Sequence, residues 1–170
     1  MILGAVLAGG AARRFGSDKA LALVKGRTLI DHAIAALVPQ CDALVIVGRR
    51  HGNWPSLTDR PPGGAGPLAA LNAAIHHAAA NGYDAVLSLP CDTLGLPQDW
   101  AQLLAPGPAV IADQPVIGFW PATLTTALDA WLATGERSVH DFAAAVGARP
   151  VAVGAPLVNI NTPNDLAKLD

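Results

Sequence analysis

The sequence predicts a three-layer α/β/α fold of the Rossmann-like type, in which helices cover both faces of a mostly parallel sheet. Short apolar runs alternate with longer segments of helical periodicity, which is the pattern of strand-helix-strand units. The chain has 170 residues, of which 52% are hydrophobic and only 14% charged, so it can bury the core of a compact domain. We therefore expect residues 1–170 to form a single domain.

The first half of the chain predicts two strands and the helix between them. Residues Ile2 to Ala8 form an apolar run that ends at Gly9-Gly10, as expected for a strand buried on both faces. Thr28 to Leu37 has apolar residues at helical spacing and stops before Pro39. A β-branched run from Asp42 to Val47 then predicts the second strand.

The middle of the chain predicts a long loop followed by a helix and a strand. Residues 52–67 are rich in proline and glycine, a composition that resists regular structure and favours a functional loop. An alanine-rich helix is expected from Leu68 to Ala80, with Asn81-Gly82 as its C-terminal cap. The next strand is expected from Asp84 to Leu89 and is broken at Pro90.

The second half is less regular but continues the alternation of strands and helices. Thr162 is the expected N-cap of the last helix and Pro163 its first residue. The other expected elements are helices over 97–104, 121–133 and 139–146 and strands over 109–112, 116–120 and 150–153.

Composition and charge exclude several classes of protein. A net charge of −2 provides no basic field for a nucleic-acid backbone, so we expect no nucleic-acid partner. Cys41 and Cys91 have no paired spacing, which argues against a disulfide framework or a zinc site and favours a reducing cytoplasm. No unbroken apolar run is long enough to cross a membrane, and no basic residue precedes the first apolar run, so a strand is favoured over a signal peptide.

Three polar features follow strands or precede helices, and they are expected on one rim of the sheet, where α/β folds bind ligands. They are the loop from Gly9 to Lys19, the loop from Asp59 to Pro67, and Asp92. The first loop matches neither the Walker P-loop nor the dinucleotide fingerprint. Its glycines still allow close backbone approach, and Arg14 and Lys19 supply charge for phosphate oxygens. Asp92 is a candidate ligand for Mg²⁺, which takes its other ligands from phosphates and water.

These motifs resemble those of the molybdenum cofactor guanylyltransferases, a family of MobA-like nucleotidyltransferases. Its signature is a Leu-Ala-Gly-Gly loop followed by Arg-Met-Gly-x-Asp-Lys, and here residues 7–19 match it with Phe15 in place of methionine. Val47 and Ala70 replace an asparagine and a glycine that are frequent in the family. The resemblance extends along the chain through Gly66-Pro-Leu-Ala69, Pro90-Cys-Asp-Thr93, Gln114-Pro115, Gly135-Glu-Arg137 and Val158-Asn-Ile-Asn-Thr-Pro163.

The resemblance implies a nucleotidyltransferase fold that transfers GMP from GTP to the terminal phosphate of molybdenum-molybdopterin and releases pyrophosphate. It implies Asp92 as the ligand of Mg²⁺ and the regions of Arg137, Asn159 and Asn161 as contacts of the pterin. Arg14 and Lys19 would stabilise the departing pyrophosphate, and Asp92 would complete the catalytic set. Transient contacts with cofactor-insertion proteins are also implied. The expected nucleotide contacts are Leu7, Ala8, Gly9, Gly10, Lys19, Asp59, Gly66 and Asp92.

Alternatives remain open for the function and for the single residues. CTP could replace GTP in the same reaction, or the chain could be a nucleotide-binding accessory protein without turnover. Taken one by one, the glycine pair could form a simple turn, Arg49 and the other cations could be solvated charges, and Asp92 could cap a helix. Asn159 and Asn161 could only shape the turn before the last helix. The joint placement of these features favours the enzyme.

Overall fold

The computed structural model describes residues 1–10 and 16–169. The strands are β1 (Ile2–Leu7), β2 (Leu23–Val24), β3 (Arg27–Thr28), β4 (Ala43–Val47), β5 (Ser56–Leu57), β6 (Ala85–Pro90), β7 (Thr93–Leu94), β8 (Ala109–Ile111), β9 (Gln114–Pro121), β10 (Arg149–Val151) and β11 (Val158–Asn159). The helices are α1 (Leu29–Leu37), α2 (Pro67–Ala80), α3 (Trp100–Leu104), α4 (Thr125–Ala133), α5 (Val139–Ala145) and α6 (Pro163–Ala167).

Seven strands form a central sheet in the order β10-β8-β9-β6-β1-β4-β5. β1 pairs in parallel with both β4 and β6, whereas β9 is antiparallel to its neighbours β6 and β8. The predicted mostly parallel sheet is therefore confirmed, with one reversed strand. The strand pattern of β1 explains its central place, because residues 3–7 are all buried, as a strand covered on both faces requires.

Helices cover both faces of this sheet, so the predicted three layers are confirmed. Leu3, Ala5 and Leu7 of β1 belong to one core cluster, which also contains buried residues of α2, α4 and α5. Val6 belongs to a second cluster with residues of α1 and α3. The two clusters lie on opposite faces because successive side chains of a strand alternate. Among the described residues, none of the helices has the length and apolar character needed to span a bilayer.

Two helix starts carry side-chain caps, of which the sequence analysis predicted the one at Thr162. The Thr28 hydroxyl accepts a hydrogen bond from the backbone N–H of Asp31 and so caps α1. At α6, Thr162 and Asp165 form a capping box, in which each side chain accepts from the other residue's backbone N–H, and Pro163 is the first helical residue. These caps fix two helix starts close to the rim loops.

Several expected boundaries are wrong. The loop over 52–67 contains the edge strand β5, and α3 begins only at Trp100, because Pro97 lies in a turn before it. The predicted helix over 121–133 starts with a 3₁₀ turn, Ala122–Leu124, before α4. β6 does not break at Pro90 but includes it, because a last strand residue can lack the N–H that an inner residue needs.

Two short strand pairs have no clear signal in the sequence. β2 and β3 form a small antiparallel hairpin directly before α1. β7 pairs with β11, through Leu94 with Val158 and Thr93 with Asn159. The second pairing joins segments that are far apart in the chain and ties the end of β6 to the region before α6.

Phe142 should be a dominant contributor to the stability of this fold. It is fully buried and its ring packs 6.0 Å from that of Trp120 and 5.8 Å from that of Trp131, measured between ring centroids. We expect Phe142→Ala to lower the free energy of unfolding by about 3–5 kcal/mol, because it removes buried surface and leaves a cavity. Urea denaturation measures this loss. The control Leu23→Ala, at a side chain 58% exposed, should change it by about 0.5 kcal/mol or less, and equal effects would contradict the prediction.

Candidate functional site

A cavity of about 870 Å³ lies beyond the carboxyl ends of β1, β4 and β6. These three strands end in register, since Leu7 faces Val47 on one side and Pro90 on the other. The segments that follow them therefore reach the same rim, where α/β folds bind ligands. Ten of the residues predicted for the site line this cavity: Leu7, Ala8, Gly9, Gly10, Lys19, Asp59, Gly66, Asp92, Asn159 and Asn161.

The first loop begins with a very close contact between two backbone segments. The N–H of Ala8 donates to the carbonyl of Val47 at 2.9 Å, and Gly9 then passes the residue that follows β4, Gly48. Gly48 has φ +94°, and a Cβ built on it would lie 2.5 Å from Cα of Gly9. No larger residue fits there without moving the loop, so glycine at 48 is a requirement of the backbone path.

Lys19 connects three segments that are distant in the chain. Its Nζ lies 2.8 Å from Oδ2 of Asp92, which follows β6, and 3.2 Å from Oδ1 of Asn161, which precedes α6. The lysine side chain is only 17% exposed and the aspartate side chain 29%. An ammonium has three donors, so Lys19 can also donate to an anion in the cavity.

Asp59 places a carboxylate in the cavity that no described residue binds. Its Oδ1 is buried and has no hydrogen-bond partner among residues 1–10 and 16–169. The carboxylate faces the first loop, because a Cβ built on Gly9 would lie 3.7 Å from Oδ1. Burial raises the pKa of Asp59 above its ordinary value. A buried acceptor of this kind calls for donors from a ligand.

A small amide cluster lies at the β7–β11 pair. The buried hydroxyl of Thr93 is 3.1 Å from Oε1 of Gln114 and 3.0 Å from Oδ1 of Asn159. A hydroxyl has only one proton, so it can donate to one of these side chains and must accept from the amide NH₂ of the other. Gln114 also lines the cavity and was not assigned a role from the sequence.

Of the predicted site residues that the structure describes, Arg137 is not brought to the cavity. Arg137 is exposed on the turn between α4 and α5, where its guanidinium donates to the carbonyls of Leu132 and Glu136 at 3.3 and 3.1 Å. It is absent from the described cavity lining. Arg14 lies outside the described residues.

Asp92 does not cap a helix, which was its alternative explanation. The chain continues directly into β7, and the carbonyl of Asp92 accepts from the N–H of Ile160 at 2.9 Å. Its neighbour Cys91 is mostly buried, and this burial together with the charge of Asp92 raises the pKa of the thiol to about 11. Cys91 is therefore a thiol at neutral pH, which agrees with the expectation that it is not a nucleophile.

Arg49, which the sequence analysis left as an ordinary solvated charge, is only 23% exposed and lines the cavity. Its guanidinium binds both carboxylate oxygens of Asp18, at 2.7 and 2.5 Å. The two residues are 31 positions apart, so no spacing rule could have predicted their pairing. Only the position of Arg49, directly after a predicted strand and its glycine, pointed to the rim.

The donors at this rim fit a Mg²⁺ ion that arrives with a phosphate ligand. Asp92 offers a carboxylate within the cavity. In the described part of the chain, no group of three or more His, Cys, Asp or Glu side chains is placed to hold a metal. A site with a single carboxylate suits Mg²⁺, because this ion commonly takes its remaining ligands from phosphates and water.

Comparison with known proteins identifies the family of the chain. The model of the MobA-like NTP transferase domain matches residues 4–149. The chain belongs to this family. A molybdenum cofactor guanylyltransferase of Acidiphilium cryptum is 41% identical over 95% of this chain and 90% of its own length. Another protein of the same name, from Rhodobacter capsulatus, is 35% identical over 99% and 95% of the two chains.

Solved structures share the fold of this MobA-like chain. The molybdopterin-guanine dinucleotide biosynthesis protein A of Archaeoglobus fulgidus has a TM-score of 0.74 at 20% identity, covering 99% of this chain and 96% of that one. A 2-C-methyl-D-erythritol 4-phosphate cytidylyltransferase of Thermus thermophilus has a TM-score of 0.62 at 14% identity, with coverages of 99% and 96%. The nucleotidyltransferase fold is therefore confirmed, and it does not by itself distinguish one nucleotide base from another.

Substitution of Gly48 should destabilise the protein through the close contact at the rim. We expect Gly48→Ala to lower the free energy of unfolding by about 1–3 kcal/mol, because the new Cβ meets backbone atoms of Gly9 and the positive φ is strained. Urea denaturation measures the change.

Gly52→Ala is the matched control for Gly48→Ala. Gly52 also has a positive φ, but a Cβ there would come no closer than 4.0 Å to another atom. The loss at Gly48 should exceed the loss at Gly52 by about 1 kcal/mol or more. Equal losses would mean that the contact with Gly9 is not a constraint.

Proposed function

We propose that this protein transfers GMP from GTP to the terminal phosphate of molybdenum-molybdopterin and releases pyrophosphate. Membership of the MobA-like family and the names of its relatives support this reaction. The observation that carries the proposal is the position of Lys19, whose ammonium joins the nucleotide loop to Asp92 and Asn161 inside one cavity. Both substrates of a transferase must meet in such a place.

The reaction requires positioning and charge stabilisation more than covalent help from the protein. A terminal phosphate oxygen of molybdopterin forms a bond to the α-phosphorus of GTP. The bond from that phosphorus to the β-phosphate oxygen breaks, and pyrophosphate leaves with the electron pair. Lys19 is the described cation closest to Asp92 and is proposed to bind phosphate oxygens and stabilise the departing charge. Arg14 is proposed to assist it.

Asp92 is proposed to hold Mg²⁺ at the α-phosphate. The ion would supply positive charge that polarises the phosphate. In the free protein Oδ2 of Asp92 is bound to Lys19. The third proton of Lys19 has no partner among the described residues, so Lys19 could donate it to a phosphate oxygen while it keeps its contacts with Asp92 and Asn161.

Asp59 supports guanine as the base. A carboxylate has two acceptor oxygens, and guanine presents two neighbouring donors, N1–H and N2–H₂, which can bind it side by side once the Asp59 side chain turns its buried Oδ1 toward the base. Cytosine presents one amino donor beside the acceptor N3, so it would bring a lone pair against the second oxygen. The buried, unpaired Oδ1 of Asp59 makes such a mismatch costly.

The pterin half of the site is proposed at Asn159 and Asn161, which line the cavity on the side of β7 and β11. Arg137 remains a predicted contact that would require movement of its turn. We also propose that residues 1–170 act as one domain, because the cavity takes residues from Leu7 to Asn161. The cytoplasmic location, the lack of a nucleic-acid partner and the contacts with cofactor-insertion proteins stay predictions.

Pyrophosphate release tests the reaction. With Mg²⁺ and molybdopterin, we expect the rate with GTP to exceed the rate with CTP by about tenfold or more, since one mismatched hydrogen bond is worth about 1–3 kcal/mol. Asp92→Ala should abolish the release. The matched control is Asp99→Ala, which removes an exposed carboxylate outside the cavity lining and should leave the rate unchanged.

Each contrary result of this assay has a defined meaning. Equal or faster release with CTP would overturn the choice of base. Tight binding of GTP without any release would favour the accessory protein. Full activity of Asp92→Ala would remove this carboxylate from the reaction.

The pH dependence of GTP binding tests the role of Asp59. The carboxylate must be ionised to accept two donors, and burial raises its pKa in the free protein. GTP affinity should therefore be complete at neutral pH and fall as the pH is lowered through that raised pKa. Asp59→Asn should weaken binding at neutral pH by about tenfold and remove this acidic loss. Calorimetric titration over a pH series measures both, and an unchanged pH profile in Asp59→Asn would contradict the assignment.

A further inference from the structure

Arg49 is the first side chain after the turn that ends β4, and it is held far more firmly than an ordinary surface arginine. Its side chain is 23% exposed. The two terminal nitrogens bind the two carboxylate oxygens of Asp18, which is the two-point geometry that arginine and carboxylate form best. The Arg49 guanidinium lowers the pKa of Asp18, so the pair stays ionised at neutral pH.

Asp18 is the residue directly before Lys19, so the position of Asp18 determines where the Lys19 side chain leaves the backbone. The carbonyl of Asp18 accepts from the N–H of Leu21 at 3.1 Å, which starts a short 3₁₀ turn over Lys19–Leu21. Asp18 is therefore fixed through its side chain by Arg49 and through its backbone by this turn. Lys19 leaves the turn and reaches Asp92 across the cavity.

The two-point contact with Asp18 engages one N–H of each terminal nitrogen of Arg49, and Nε is buried, with no partner among the described residues. A phosphate that displaced Asp18 would leave its carboxylate, 46% exposed, beside the incoming anion. Asp18 does not use the second N–H of each terminal nitrogen. The experiment below therefore separates direct contact with phosphate from positioning through Asp18.

We propose that Arg49 is a positioning residue for nucleotide binding, which acts through Asp18 to hold Lys19 toward the phosphates and to neutralise a carboxylate beside them. This rests on the proposed function for the identity of the nucleotide. The ion pair between Arg49 and Asp18, which ties the segment after β4 to the Lys19 segment, does not depend on which nucleotide binds. Through Asp18, the position of the Lys19 ammonium therefore depends on Arg49, which follows the neighbouring strand β4.

The test compares Arg49→Ala in two backgrounds by GTP titration and steady-state kinetics. In the wild-type background we expect GTP affinity and kcat/KM to fall at least tenfold, because Lys19 loses its anchor and Asp18 becomes an unpaired anion. In the Asp18→Asn background the same substitution should cost less than threefold, because the carboxylate is already absent. Equal losses in both backgrounds would show that Arg49 contacts phosphate itself and would overturn the proposal.

Two further variants separate this role from general effects. Arg50→Ala removes the same charge one residue away, at an exposed side chain outside the cavity lining, and should leave GTP affinity unchanged. Arg49→Lys keeps the charge but loses the two-point contact, so its affinity should lie between those of wild type and Arg49→Ala. If Arg50→Ala weakened GTP binding as much as Arg49→Ala, the effect would come from the loss of net positive charge and not from the contact with Asp18. That result would overturn the proposal.

Hydrogen–deuterium exchange tests the tie without any substrate. Arg49→Ala should increase amide exchange over residues 18–22, while Arg50→Ala should not, and thermal melting of each variant shows whether the whole fold is affected. Unchanged exchange in folded Arg49→Ala would overturn the tie. Absence of GTP binding and turnover in the wild-type protein would instead contradict the proposed function, and the exchange result would still decide whether Arg49 holds the segment.

Discussion

Three parallel strands that end in register decide where the chemistry of this protein lies. Leu7 of β1 faces Val47 of β4 and Pro90 of β6, so the chain leaves all three strands at one height. Parallel neighbours are joined by crossovers and not by tight hairpins, and the segments after them are therefore available to a ligand. A shift of one residue in either pairing would move the side chains of that strand to the opposite faces of the sheet and would displace the end of the strand along the rim. The cavity depends on this register before it depends on any single side chain.

The charges of the described cavity lining bear on the proposal that the nucleotide binds together with Mg²⁺. The charged side chains among the described lining residues are Asp18, Lys19, Arg49, Asp59 and Asp92. Two are positive and three negative, and both cations are already paired with a carboxylate. Counting the described residues alone, a free triphosphate would meet one more carboxylate than cation. A divalent cation bound to the triphosphate would restore the attraction. It would also offer Asp92, the partner of Lys19, a second cation to bind.

The sequence predicted what depends on local pattern and missed what depends on the fold. The buried run of β1, the alanine-rich helix α2 and the cap at Thr162 are local features, and the structure confirms them. The antiparallel direction of β9 and the pairing of Arg49 with Asp18 arise only when distant segments meet. The family motifs predicted many of the residues that line the cavity, because those residues belong to the motifs. Gln114 was quoted in a motif, but only its bond with Thr93 reveals where it points.

The pairing of β7 with β11 also has a consequence for how the protein is made. Lys19 and Asn161 are 142 positions apart, and their contact requires the β7–β11 pair beside it. A chain that emerges from the ribosome in order can form β1 and β4 early, but its cavity still lacks one wall until residues 158–161 have been synthesised. Such long-range contacts form late and slowly. In a nascent chain, the segments that follow β1 and β4 are therefore present long before the wall of the cavity that Asn159 and Asn161 supply.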